Sequence, residues 1–383
     1  MNNKKIAIFS TSRAEFGIMK FLIKELKKEK NFLTNFFVGG SHFLKLHGNT
    51  IAEIKKSKLK INGFFYYKQL NSNSAFSLSK AISVSTKKLG FIFNKFDFDY
   101  IIVFGDRHDL IPIIANAVIF NKIIIHVGGG ETTKGAIDNQ IRNMVTKAAH
   151  IHFTSSDDYS KKILSLGEKK NRIFNVGSLS YNKDLRKKVV TKQFFFNKFK
   201  LDSKLPLASL TFHPSDIEGG YSIKKKLKII FDALNVFNIN LIITAPNLEI
   251  NSHEVIKIIK ENIKNKKNYK FYSSLGFENY HQLLKNSDFI IGNSSSGIIE
   301  APLYKTPSIN IGTRQDGRFR HKSVLDASYN KKLIIKLIKI VMSKKFKNKI
   351  KKMKYKFGNG NSAKKISILL KKIKLTKKIL LKE

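Results

Sequence analysis

The chain of 383 residues contains no cysteine. Disulfides, thiolate metal sites and a cysteine nucleophile are therefore excluded. No apolar run reaches transmembrane length, so no membrane insertion is expected. The start, Met1-Asn-Asn-Lys-Lys-Ile6, leads directly into a strand pattern. It lacks the apolar stretch and cleavage site of a secretion signal, and a cytoplasmic location is the expectation. Acidic residues are few, 27 against 72 Lys and Arg, for a formal net charge of +45. Arginine is scarce as well: Arg13, Arg107, Arg142, Arg172, Arg186, Arg314, Arg318 and Arg320, every other strong base being Lys. Base readers and phosphate clamps favour the fork geometry of Arg. The lysines also run along the whole chain, and heavy use of Lys, Ile, Asn and Phe is what A- and T-rich codons give. No specific nucleic-acid partner is expected. The charge instead draws in anionic substrates, with binding that weakens as salt rises.

What is present is a succession of short apolar runs, each ending in Gly, Ser, Asp or Pro. Residues 4–180 contain Lys5–Phe9, Phe36–Val38, Tyr100–Phe104, Lys122–His126, Ile151–Thr154 and Ile173–Val176. Helical patterns separate them, and Ser155-Ser-Asp-Asp158 has the composition of a helix cap. Such runs predict a parallel sheet covered on both faces. A polar, Lys-rich stretch over 181–205 reads as a connection. The alternation then resumes over 206–330 with Leu207–Phe212, Asn240–Thr244, Tyr269–Tyr272, Asp288–Ile291 and Ser308–Ile311. The stretch 331–383 reads as a basic helical tail that packs partly back on the body. The fold class expected is α/β, with two Rossmann-like domains facing a cleft, and ligands held beyond the carboxyl ends of the strands.

The polar residues at those strand ends are the candidate site. Gly292-Asn-Ser-Ser-Ser-Gly-Ile-Ile-Glu300 joins a buried strand to a helix start, where backbone N–H groups face outward and phosphate binds readily. Ser294, Ser295, Ser296 and Gly297 form that turn, and Glu300 is expected about two helical turns in, within reach of a sugar hydroxyl. Arg13 follows the first strand. Asp106 follows a buried strand in Gly105-Asp-Arg107, where a carboxylate costs energy unless it is bonded or working. Glu131 stands at the lip of Gly128-Gly-Gly130, whose glycines would let the backbone approach a ligand. Asp138 and Arg142 are one helical turn apart, and a simple i,i+4 ion pair is the plain alternative. His213 precedes Pro214 at the start of the second half. Arg314 follows the last strand of that half. Tyr280 is equally suited to stacking a base or to core packing.

Taken together, these stretches resemble the hydrolysing UDP-N-acetylglucosamine 2-epimerases, the branch that makes free N-acetylmannosamine for sialic-acid-type sugars. The resemblance rests on Ser12-Arg-Ala-Glu-Phe-Gly17, Gly105-Asp-Arg107, Gly129-Gly-Glu131, Gly135-Ala-Ile-Asp138 with Arg142, Phe174-Asn-Val-Gly177, Thr211-Phe-His-Pro214, Gly292 to Pro302 and Asn310-Ile-Gly-Thr-Arg-Gln315, in order over about residues 4–325. It implies the two-lobed arrangement called GT-B, with UDP held mainly by the second domain. It also implies Ser294 and Ser295 at the diphosphate, Glu300 at the ribose and Tyr280 near the uracil. Arg13, His213 and Arg314 would neutralise the pyrophosphate, and Asp106, Glu131 and Asp138 would form the acid–base set that Arg142 orients. The implied scheme calls for no metal or nicotinamide cofactor, and the family generally forms dimers or tetramers. Many members carry Glu or His where this chain has Gly128. Relatives acting on UDP-2,4-diacetamido-2,4,6-trideoxyglucose for legionaminic acid share the motifs, so that substrate stays open. A GT-B glycosyltransferase is the more distant alternative.

Overall fold

The computed structural model describes residues 3–44, 50–65, 74–183, 190–215, 218–374 and 376–382. Arg186 and the 184–189 part of the expected connection lie outside them. The chain divides into two compact units. Unit 1 comprises Met1–Glu131, Ile137–Lys183 and Phe357–Glu383, and unit 2 comprises Thr132–Ala136 and Asp184–Lys356. The basic C-terminal stretch is thus shared between them.

Unit 1 is built on a seven-stranded parallel sheet: β1 (Lys4–Ser10), β2 (Phe32–Gly39), β3 (Gly63–Phe65), β4 (Tyr100–Phe104), β5 (Ile123–Val127), β6 (Ile151–Thr154) and β7 (Ile173–Asn175). Their spatial order is β3-β2-β1-β4-β5-β6-β7. The order reverses direction between β1 and β4, the switch point where open α/β sheets leave a crevice beyond the strand ends. Alternation along β1 feeds two separate cores. Ile6 and Ile8 join Phe16, Met19, Ile23, Ile366 and Leu370 on one face. Ala7 and Phe9 join Phe37, Phe93 and Phe98 on the other. The helix Ser362–Lys372 therefore packs on the helix Arg13–Lys27, through apolar positions at helical spacing. Ser156 caps the helix Asp157–Ser165, its hydroxyl accepting from the Tyr159 N–H at 3.4 Å.

Unit 2 repeats the plan with six parallel strands: β8 (Leu207–Thr211), β9 (Asn240–Thr244), β10 (Tyr269–Tyr272), β11 (Phe289–Gly292), β12 (Ser308–Ile311) and β13 (Val324–Ala327), ordered β10-β9-β8-β11-β12-β13. The order again reverses beside its first strand, here between β8 and β11. Leu210, Ile243, Ile291 and Ile309 meet Leu227, Phe231, Ile334 and Ile338 in one core. The stretch 181–205 holds more than a connection. The helix Lys192–Lys198 buries Phe195 and Phe196, with Phe199 just beyond, against Leu207, Ile242 and Leu283.

The runs expected at Tyr100–Phe104, Ile151–Thr154, Asn240–Thr244, Tyr269–Tyr272 and Ser308–Ile311 form strands with those bounds. The strands β3 and β13 were not expected. Both are short edge strands with one hydrogen-bonded neighbour each; β3 is only three residues long, and Asp326 interrupts the apolar run of β13. Among the described residues, no helix is long and apolar enough to cross a membrane.

Phe9 stacks on Phe37 and Phe93, with ring centroids 5.1 and 5.7 Å apart, and meets Phe65 and Phe98 edge-on. Phe9→Ala should therefore destabilise unit 1 by about 3–5 kcal/mol in denaturant unfolding. Removing the exposed Phe76 ring should change stability by no more than about 0.5 kcal/mol.

Candidate active site

In unit 1 the strand ends converge on one guanidinium. Arg142 sits on the helix Asp138–Ala148, whose Ile141 and Val145 join the apolar core. Its side chain is 1 % exposed. A charge so deeply buried needs partners of good geometry. Arg142 Nη2 is ion-paired with Asp106 Oδ2, just past β4, and Nη1 donates to the Glu131 carbonyl oxygen at 2.8 Å. The Ser155 hydroxyl, just past β6, donates to Glu131 Oε1 at 3.4 Å. The structure thus gathers Asp106, Glu131 and Arg142. Asp138 stands in the first turn of the Arg142 helix, where a carboxylate complements the backbone dipole. Arg13 opens the helix after β1 and is half-buried.

Two side chains not singled out from sequence hold this end of the sheet. His126 on β5 is fully buried, and burial pushes its imidazole down to about 3, so the ring is neutral. Its Nε2 lies 2.8 Å from the Gly105 carbonyl, which can only accept, so Nε2 carries the hydrogen. Nδ1 is then the acceptor for the Thr146 hydroxyl at 3.2 Å. His126 thereby ties the peptide before Asp106 to the helix that carries Arg142. Glu15 is the second. It accepts from the Thr11 N–H (3.1 Å) and hydroxyl (2.6 Å), and burial pushes its carboxyl up to about 7. Nearby, Arg107 pairs with Asp109 at 3.4 Å.

At Gly129 and Gly130 the glycine run after β5 is closed off by protein, where a ligand approach was expected. A Cβ on Gly129 would lie 2.9 Å from His126 Nδ1, and one on Gly130 would lie 2.3 Å from the Tyr159 carbonyl. A Cβ on Gly128 would make ordinary contact with the Gly105 backbone, 3.7 Å from its N, but the φ of +88° is one that Glu or His adopts only under strain.

Unit 2 presents a second constellation at its own strand ends. His213 follows β8 and Asn293 follows β11, the neighbouring strand. Asn293 clamps the His213 main chain on both sides: His213 N–H donates to Asn293 Oδ1 at 2.7 Å, and Asn293 Nδ2 donates to the His213 carbonyl at 2.8 Å. His213 Nδ1 lies 3.0 Å from Glu249 Oε1, and Arg314 Nη2 donates to the same oxygen at 3.2 Å. Gln315 Nε2 donates to the Asn293 carbonyl at 2.9 Å, and Glu218 holds the Arg314 loop through the Thr313 N–H and hydroxyl. Asn293, Glu218 and Glu249 carried no signal of their own in the sequence.

Gly292 ends β11 with φ +132°, and a Cβ there would lie 2.1 Å from the Thr211 carbonyl. This glycine lets the chain turn into Ser294–Gly297. The Tyr280 hydroxyl lies 2.5 Å from Ser296 Oγ, which in turn bonds Ser294 Oγ at 3.1 Å. The Tyr280 ring packs beside Leu284, Ile290 and Ala301. The helix from Ser296 is a single turn, Ser296–Ile299. Glu300 follows it at once and leads into a 3-10 segment, Ala301–Tyr304, with Pro in its first turn. It is therefore nearer the turn than the two helical turns expected.

Protonation makes this architecture pH-sensitive. Burial lowers His42 and His126 to about 3 and His150 and His321 to about 4. Each depressed imidazole contributes stability that is present above its unfolded pKa of about 6.5 and lost as pH falls below it, by at most about 1.4 kcal/mol per pH unit. Glu15 acts oppositely: its raised pKa contributes stability at low pH that is lost as pH rises from 4.5 through about 7. Four rings outweigh one carboxyl. The melting temperature should fall between pH 7 and pH 5, and a rise over that interval would contradict the burial of the rings.

The family model described as UDP-N-acetylglucosamine 2-epimerase matches residues 24–371. A Campylobacter jejuni protein named GDP/UDP-N,N'-diacetylbacillosamine 2-epimerase (hydrolyzing) is 33% identical over 340 residues, covering 86% of each chain. A Legionella pneumophila UDP-N,N'-diacetylbacillosamine 2-epimerase (hydrolyzing) is 29% identical over 381 residues, covering 98% of each. Among solved structures, the UDP-GlcNAc 2-epimerase of Neisseria meningitidis, bound to UDP-GlcNAc, superposes with a TM-score of 0.81 at 17% identity. It covers 97% of this chain and 100% of that one, and shows the fold.

Proposed function

We propose, because this chain belongs to the UDP-N-acetylglucosamine 2-epimerase family, that it is a hydrolysing 2-epimerase of a UDP-linked 2-acetamido hexose. The arrangement that carries the reading, in a chain of this family, is the buried Arg142 bound to both Asp106 and the main chain of Glu131. The reaction needs acidic groups that hold and move protons around one sugar. The C2 proton passes to a base while the C1–O bond breaks and its electrons leave with UDP, giving a 2-acetamidoglucal. Water then adds across the double bond, hydroxyl to C1 and hydrogen to the other face of C2. The products are UDP and the free sugar inverted at C2.

In this reading Asp106, Glu131 and Asp138 are the acid–base groups, and a group that takes a proton in one half of the reaction can return it in the other. The ion pair with Arg142 favours the ionised form of Asp106, the form a base needs. The C2 hydrogen is not beside a carbonyl and is barely acidic. Stabilising the leaving diphosphate must therefore carry much of the barrier. Arg13, His213 and Arg314 supply positive charge for it, with Ser294, Ser295, Ser296 and Gly297 as the cradle. Glu300 would bind the ribose and Tyr280 the uracil.

UDP-N-acetylglucosamine, giving N-acetylmannosamine, is the substrate the motifs suggest. The names of the Campylobacter and Legionella relatives favour a second reading, UDP-2,4-diacetamido-2,4,6-trideoxyglucose, with the same chemistry at C1 and C2.

Incubation with each UDP-sugar in deuterated water, without acceptor, tests the reaction and the substrate together. The expected result is UDP plus a 2-epimerised free sugar deuterated at C2. Release of UDP with no label at C2, or no release from either sugar, would remove the proposal. Asp106→Asn and Glu131→Gln should each lower turnover by at least about a hundredfold. Wild-type rates in either variant would remove that residue from the acid–base set.

A further inference from the structure

We propose that Gly135 and Ser215 are positioning residues for the proton transfers. They fasten the segment Thr132–Ala136, which runs from Glu131 toward Asp138, within unit 2, where Gly135 abuts the loop 313–317 that carries Arg314. The proposal rests on the function proposed above. The segment belongs to unit 2, whereas Glu131 and Ile137 on either side of it belong to unit 1. It has no helix or strand of its own, so its partners decide where it lies.

Two hydrogen bonds and two close approaches hold it, all to other residues of unit 2. The Lys134 N–H donates to the Asp316 carbonyl at 3.0 Å. The Ser215 hydroxyl, in the loop after β8, donates to the Gly135 carbonyl at 2.7 Å. A Cβ on Gly135 would lie 2.6 Å from Arg314 Cα and 2.9 Å from both the Arg314 nitrogen and the Thr313 carbonyl oxygen. These are main-chain atoms, which cannot swing aside as a flexible side chain does. Gly135 does not have a positive φ, so its backbone conformation alone would admit an alanine. The close approach to the Arg314 loop is what requires glycine there. Gly317 makes a similar approach, a Cβ on it lying 2.6 Å from Thr132 Cγ2.

The loop is the fixed member of this pair. The Thr313 hydroxyl donates to Glu218 Oε1 at 3.1 Å, Gln315 Nε2 to the Asn293 carbonyl at 2.9 Å, and Arg320 Nη1 to the Gln315 carbonyl at 2.9 Å. Inside the segment, the Ala136 N–H reaches the Thr133 carbonyl only at 3.3 Å. Crowding at Gly135 should therefore displace the segment and leave the loop in place. Glu131 precedes the segment directly and Asp138 follows one residue after it, so the main chain passes the displacement to both carboxylates. A misplacement of about 1 Å in groups that move a proton costs about a hundredfold in rate. The loop proposed to carry charge for the diphosphate thus also sets the groups that act at C2.

The experiment measures kcat and KM on a UDP-sugar, UDP affinity by calorimetry and melting temperature for the wild type, Gly135→Ala, Ser215→Ala and Ser215→Thr. The isotope effect on kcat is read with the same UDP-sugar deuterated at C2. Gly135→Ala should lower kcat about a hundredfold. Ser215→Ala, which removes one hydrogen bond, should lower it about tenfold. UDP affinity should change by less than about threefold in each, and Ser215→Thr, which keeps the hydroxyl, should return kcat to within about threefold of the wild type. The isotope effect in each slowed variant should be at least as large as in the wild type, because proton transfer at C2 is the step impaired. If Gly135→Ala does not fold, the half-buried Ser215 and its two variants decide the question. Wild-type kcat in Ser215→Ala would overturn the proposal, by showing that the Arg142 bond alone places Glu131. So would a UDP affinity that falls in step with kcat, which would mean that the loop had moved, or a smaller isotope effect. A wild type that releases no UDP from a UDP-sugar would remove the proposed function, and this role with it.

Discussion

The buried guanidinium of Arg142 is the interaction on which the organisation of unit 1 most depends. Taking its charge out of water is unfavourable by several kcal/mol, and only excellent geometry offsets that. The geometry comes from three places in the chain at once: the loop after β4 through Asp106, the loop after β5 through the Glu131 carbonyl, and the helix that bears Arg142 itself. A planar fork can serve a carboxylate and a carbonyl together, whereas an ammonium serves them only as a point charge. In a chain whose strong bases are overwhelmingly Lys, an Arg at this position is therefore informative. Stability and chemistry are coupled here, because the carboxylate that neutralises Arg142 is a group proposed to move the proton.

The same logic bears on the net charge of +45. Lysines of the described residues lie mainly at exposed or half-exposed positions, where water and salt screen them. They raise the potential felt by any anion but give it no address. In the function proposed above, the address comes from the few positive groups held in fixed geometry. At the strand ends of unit 2 these are set by carboxylates, Glu249 for Arg314 and Glu218 for the loop that carries it. Even the buried Lys226 is paired with Glu218, at 3.3 Å. A small number of acidic residues thus organises the positive charge that matters.

Much of the fold was legible because its strands are buried on both faces. Tyr100–Phe104 and Asn240–Thr244 read as unbroken apolar runs for that reason, and their ends could be placed. The strand β3, Gly-Phe-Phe, is too short to read as a run, and Asp326 breaks the apolar pattern of β13. Within the candidate site, Asp106 and Glu131 stood out because each follows a strand in a recognisable motif, and Arg142 because it stands one helical turn from Asp138. Glu249, Asn293 and His126 did not. Glu249 lies in an unremarkable loop and gains its meaning from the adjacency of β8 and β9. Asn293 was quoted as part of a Ser-rich turn, but its bonds run back to the loop after β8. His126 ends an Ile run that reads equally well as plain strand. These roles depend on which strands are neighbours, information that the local pattern of residues does not carry.

His126 and His213 show how placement decides what one side chain does. Both lie at or just past the end of a buried parallel strand, and both are nearly inaccessible. His126 faces a carbonyl and a hydroxyl, partners that suit a neutral ring, and burial then keeps the proton off it even in mild acid. It can tie a loop to a helix, and it cannot supply charge. His213 faces a carboxylate across 3.0 Å, a partner that favours the charged ring. A scan for histidines at strand ends would rank the two alike. The chemistry of the atom facing Nδ1, hydroxyl in one case and carboxylate in the other, separates them.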